Sequence, residues 1–169
     1  MNRRQFTQTA LYTTLSPLLI AAAAPKPLVG MVLKAMRNEF FQQMADGARE
    51  HQRQHHEYEL LLVGVQEETD VKGQEAIIQQ LMAKQVAALI VVPADSIDLL
   101  PILIRAAESG MLVINMDNKL DDRSLAAAQL NIPFVGPSNF NDAKSVGAYV
   151  VQGLPAGSNI GLIEGRWKP

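Results

Sequence analysis

Two places in the sequence carry side chains able to hold a small molecule. The first is the polar turn Lys34 to Asn38, followed at once by Glu39 and by two adjacent rings, Phe40 and Phe41. The second is the polar segment DNKLDD, which opens on Asp117 and Asn118. A sugar hydroxyl both donates and accepts, and the C–H faces of a sugar ring pack on aromatic carbon, so this mixture suits a polyhydroxylated ligand. A carboxylate such as Asp117, accepting from two hydroxyls at once, makes charge-assisted bonds able to outweigh desolvation of the site. Each residue also has a plainer reading. Phe40 and Phe41 could both be core, first of all the ring on the face of Met44 and Ala48. Asp117 could cap a turn in DNKLDD, and Asp95 reads as a turn or cap residue rather than a contact.

Enzyme constellations are missing. LVGMVLKAMRN holds a single Gly, so no GxGxxG follows the first apolar run, and GxxxxGK[ST], GxSxG and HExxH are absent. An aspartyl-phosphate receiver needs an acidic pair where Lys34, Ala35 and Met36 stand. Glu67 and Glu68 read as a solvated turn. His51 and His55 have the i, i+4 spacing of a helical metal pair, with His56 adjacent, but they fall in a Gln- and Arg-rich segment and read as its wet face. Neither metal nor cofactor nor catalysis is expected. There is no Cys, which removes disulfides, thiolate sites and a lipidated Cys anchor. The net charge is −2, and the 15 Lys and Arg form no cluster, so a nucleic-acid partner is not expected.

The elements that must position these residues are legible as alternation. Apolar runs recur at Leu28–Leu33, Tyr58–Val65, Ala87–Val92, Met111–Met116, Ile132–Val135 and Ile160–Ile163. Most are continuous rather than alternating, as strands are when helices cover both faces of a parallel sheet. Helical patterns lie between them: Glu39 to about His55 with Asn38 as N-cap; Asp70 to Gln85, burying Val71, Ile77, Ile78, Leu81 and Met82; a third opening at Asp98 and ending at Gly110; a fourth from about Asn139 to Gly153. This predicts an α/β fold, a doubly wound parallel sheet flanked by helices. A closed eightfold barrel needs about 250 residues, and the chain has 169. In the predicted sheet the segments Lys34–Asn38, Gln66–Thr69, Pro93–Ser96 and Asp117–Lys119 share the rim beyond the strands' carboxyl ends, where ligands of such sheets bind.

The first 24 residues, MNRRQFTQTALYTTLSPLLIAAAA, join two Arg to a mild apolar stretch and a run of small residues, the pattern of an export signal. A spanning helix needs roughly 20 apolar residues, so the mature protein is not expected to cross the membrane. Arg3 and Arg4 followed by Phe6 resemble the twin-arginine signal, while Thr7 and Gln8 leave the general secretory route open.

The segments VLKAMRNEFFQQMADGARE, AALIVVPADS, VINMDNKLDD and IPFVGPSNFNDAKSVGAYV leading into IGLIEG, taken in order, resemble the periplasmic sugar-binding proteins of bacterial ABC importers, in the ribose-, galactose- and autoinducer-binding group. The resemblance runs from about Leu28 to Gly165. It implies a periplasmic protein that binds a monosaccharide or polyol without catalysis and delivers it to a membrane permease. It also implies that Asn38, Phe40 and Phe41 contact the sugar, that Asp117 bonds its hydroxyls, and that Gly136 to Asn139 form the crossing to a second lobe with Asn139 near the ligand. In ribose-type relatives an Arg follows the aspartate; here Asn118 does, which removes a charged fork and admits a sugar alcohol or other polyol as readily as ribose.

The resemblance thus divides the chain into an export signal (1–24), a first lobe (25–136), and a crossing segment with the start of a second lobe (137–169). The end, RWKP, does not resemble the family. The expectation is therefore a truncated lobe that binds sugar weakly, prone to associate. Alternative readings are the sugar-sensing domain of a lac-repressor-type regulator, a chemoreceptor input, or a small Rossmann-like enzyme.

Overall fold

A computed structural model of the chain describes residues 25–163. The export-signal reading of residues 1–24 and the ending RWKP lie outside the described residues. The elements, in order, are β1 (Leu28–Leu33), α1 (Glu39–Gln54), β2 (Glu59–Gly64), α2 (Val71–Ala83), β3 (Ala88–Val91), α3 (Leu100–Glu108), β4 (Leu112–Met116), α4 (Asp122–Ala127), β5 (Phe134–Val135) and α5 (Asn139–Val151).

The strands form one sheet in the order β2-β1-β3-β4-β5, every neighbouring pair parallel. Met31 of β1 stands opposite Leu62 of β2 and Ile90 of β3, which fixes the register at the centre. Side chains alternate between the faces. Val32, Leu89, Val91 and Val113 join Ile78 and Leu81 of α2 and Ile102, Leu103 and Ala106 of α3 in one core. Met31 and Leu33 join Phe41 and Ala45 of α1 in the other. Gly30 lets α2 approach β1, since a Cβ there would meet Leu81 Cδ1 at 2.8 Å. Beside α1 the second face stays partly open, as an apolar groove of about 510 Å³ whose walls include Met31, Met44, Ile90, Ile114 and Met116.

The helix starts follow their caps. Asn38 caps α1 by accepting from the Phe40 N–H, and Asp70 caps α2 by accepting from that of Gly73. The third helix opens later than the expected Asp98: it begins at Leu100 after Leu99, whose side chain makes no cap bond, and Asp95 Oδ1 closes the preceding turn by accepting from the N–H groups of Ile97 and Asp98. The short helix α4 was not anticipated; Asp121 caps it through the Ser124 N–H and Oγ–H, turning a segment read as a turn into one and a half helical turns. Residues Ile160–Ile163 form no strand, because no described strand lies beside them to complete a ladder. No residue of α5 is buried.

Candidate functional site

Because every strand is parallel, the loops that follow them leave the same edge of the sheet. The two rings after β1, the aspartate after β4 and the segment after β5 therefore share one rim. Backbone bonds knit its loops together: Met36 N–H to Val65 O at 2.9 Å, Asp117 N–H to Val135 O at 3.0 Å, and Asp121 N–H to Ser96 O at 3.1 Å.

At the β1 end the N-cap decides which ring faces water. Asn38 Oδ1 accepts from the Phe40 N–H at 3.0 Å, and its Nδ2 lies 3.5 Å from Glu68 Oε1. One residue into the helix Phe40 points out, 53% exposed; the next, Phe41, turns onto the sheet and is 4% exposed. Phe41, the ring on the face of Met44 and Ala48, is core, and it meets Phe40 edge-on with centroids 5.1 Å apart. Lys34 Nζ lies 5.7 Å above the Phe41 ring and 3.5 Å from Glu68 Oε2. Arg37 pairs with Glu67 at 3.2 Å with both side chains exposed, so each of the two glutamates meets a basic residue of the β1 turn.

At the β4 end Asp117 adopts a left-handed backbone, φ 63°, rare for a residue with a Cβ. Its side chain is half-buried, and among the described residues its carboxylate forms no hydrogen bond or ion pair. It is not the turn cap of DNKLDD; that role falls to Asp121, whose bonds from the Ser124 hydroxyl and N–H hold its carboxyl below the usual range. Asn118 ties this loop to the β3 loop: its Nδ2 donates to Pro93 O at 3.2 Å. Gly136 lies against Asp117, since a Cβ there would fall 3.2 Å from Asp117 N and 2.9 Å from Phe134 Cζ. Asn139, exposed in the first turn of α5, lines a shallow 400 Å³ depression with Lys119, Asp122 and Gly136, which brings it beside the β4 loop.

Two residues of this region were not read from the sequence. Gln74 is fully buried on α2, and its amide reaches the ends of β1 and β3. Asn115, inside β4, is buried with both amide atoms bonded to the following loop. A polar residue amid an apolar pattern is the signal that could have found them, because a buried amide must be satisfied by something specific. His51 and His55 stack at 4.1 Å, with His51 Nδ1 2.8 Å from Tyr58 OH; among the described residues no group of three metal-capable side chains forms. No helix among them is long and apolar enough to cross a membrane.

Comparison with known proteins gives this rim a lineage. Residues 29–167 match the family model of the periplasmic binding protein domain. The chain is 40% identical over 146 residues to the D-ribose/D-allose-binding protein of Pseudomonas aeruginosa, covering 86% of this chain and 46% of the relative. It is 26% identical to the D-allose-binding periplasmic protein of Escherichia coli, covering 96% and 51%. Among solved structures it resembles an ABC transporter solute-binding protein from Burkholderia multivorans with TM-score 0.73 and 41% identity, covering 79% of this chain and 48% of that one. A solute-binding protein from Actinobacillus succinogenes with bound D-allose follows at TM-score 0.68 and 30% identity, covering 75% and 44%. The chain spans about half the length of the curated relatives it matches. The extent of the family match, together with the parallel sheet, establishes that the chain belongs to the periplasmic binding protein domain family.

Proposed function

We propose that this chain is part of the substrate-binding component of a bacterial ABC importer, one that holds a monosaccharide or polyol at the rim described above and performs no catalysis. The observation that carries the reading is the Asp117 carboxylate, without a partner among the described residues, on the same edge as the exposed Phe40 ring. A half-buried carboxylate in that state is prepared to accept from a ligand. Phe40 supplies the apolar face for C–H groups, and Asn38 and Asn139 flank it with amides that donate and accept. Phe41 acts from behind, fixing Phe40. The names of the relatives make D-ribose and D-allose the first sugars to try. An exported, periplasmic location and a membrane permease as partner complete the reading.

A thermal-shift panel of D-ribose, D-allose, myo-inositol, ATP, NAD and FMN tests it. A raised melting temperature with one or more of the polyhydroxylated compounds, and none with the nucleotides, is expected, because a ligand that binds only the folded state stabilises it. A response to NAD or FMN alone would instead support a nucleotide enzyme.

A further inference from the structure

Three side-chain amides link the ends of three strands. Gln74 Nε2 donates to Val92 O at 2.8 Å and lies 3.4 Å from Leu33 O, while its Oε1 accepts from the Ala94 N–H at 2.8 Å. Both neighbours of Pro93 are thereby held. The carbonyl of Pro93 in turn accepts from Asn118 Nδ2 at 3.2 Å. The carbonyl of Asn118 accepts from Asn115 Nδ2 at 2.7 Å, and Asn115 Oδ1 accepts from the Leu120 N–H at 2.8 Å. The series runs from α2 through the β3 loop to the β4 loop, and Asp117 sits within its last closed ring, between Asn115 and Asn118.

An amide is the group such a series needs. It donates and accepts while neutral, so it satisfies carbonyls and N–H groups inside a turn without bringing a charge into it. A carboxylate in place of Asn118 could not donate to Pro93 O. The left-handed backbone of Asp117 costs free energy in an L-residue and persists only where its surroundings over-determine it. The bonds on either side of Asp117 do so, and they leave its carboxylate without a partner among the described residues.

We infer that Gln74, Asn115 and Asn118 are positioning residues that hold the Asp117 carboxylate toward the rim, with Asn118 acting through the β3 loop rather than by touching the ligand. The inference rests on the reading of Asp117 as a ligand-binding residue. It refines that reading in one respect: the group that meets Asp117 must itself be a donor, such as a sugar hydroxyl.

The test uses the ¹⁵N- and ¹³C-labelled chain and the variants Asn118→Ala, Asn118→Asp, Asp117→Ala and the double variant Asp117→Ala with Asn118→Ala, with D-allose as probe. Without sugar, the three-bond amide–Hα coupling and Cα shift of residue 117 report its backbone angle. Asn118→Ala and Asn118→Asp should both move these away from the left-handed values. In titrations followed by amide shifts, Asn118→Ala should weaken D-allose binding by about tenfold, and should cost nothing further once Asp117 is already Ala. An unchanged backbone angle together with losses that multiply in the double variant overturns the inference and makes Asn118 a direct contact. Should Asp117→Ala leave D-allose binding untouched, the reading of the crevice falls, while the backbone angle of residue 117 still decides whether the amides hold it.

Discussion

Replacing Asp117 by Gly and by Ala separates what the side chain does from what the backbone costs. Both variants lose the carboxylate, so both should lose the charge-assisted bonds to a ligand, about 2 kcal/mol or roughly thirtyfold in affinity. Their stabilities should differ. At φ 63° an L-residue with a Cβ carries about 1–2 kcal/mol of steric cost, somewhat less for Asp, and Ala keeps that cost without the local tolerance of Asp. Gly removes it but gains freedom in the unfolded chain worth about 0.5–1 kcal/mol. Asp117→Gly should therefore be as stable as the parent or slightly more so, and Asp117→Ala about 1 kcal/mol less stable. For a domain of this size that separates the two melting temperatures by about 3–4 °C. Urea unfolding and D-allose titration measure both quantities on the same samples. Equal stabilities would show that the backbone here is not strained; undiminished affinity in both variants would remove the carboxylate from the site.

Other perturbations follow from the same geometry. Phe41→Ala should cost about 3–5 kcal/mol by denaturant unfolding, whereas Phe40→Ala should leave stability nearly unchanged and weaken sugar binding; the opposite pattern would reverse which ring is core. Gly136→Ala places a methyl 2.9 Å from Phe134 Cζ and 3.2 Å from Asp117 N, so it should destabilise the fold by about 1–3 kcal/mol and shift the Asp117 amide resonance. Asp121 has its carboxyl pKa lowered by the Ser124 hydroxyl and N–H, so its capping contribution is complete above the ordinary carboxylate range and is lost as pH falls through the lowered folded value. The Ser124 amide resonance should follow that transition, and in Asp121→Ala it should not.

The strands could be read in advance because continuous apolar runs are what a sheet covered on both faces requires, and β1 begins and ends where its run does. The α1 face was legible for the same reason: one ring of the adjacent pair had to fall on the stripe of Met44 and Ala48, and Phe41 does. What escaped depends on partners distant in sequence or on a short local cap. Leu120 and Leu125 are too few to mark α4 by periodicity; its start is set by Asp121 bonding Ser124. Ile160–Ile163 has the composition of a strand but, among the described residues, no strand to pair with. Gln74 and Asn115 interrupt apolar patterns, and what they do is visible only once α2, β3 and β4 stand beside one another. The polar residues nearest to a cap or a strand end share one edge because parallel strands send their following loops the same way.

The most direct measurement of the central claim is an amide-shift titration of the ¹⁵N-labelled chain with D-allose and D-ribose. The account predicts saturable shifts gathered along one edge of the sheet, at residues 34–40, 94–96, 117–119, 136, 138 and 139. Shifts confined to the opposite ends of the strands, or to the open face beside α1, would contradict it.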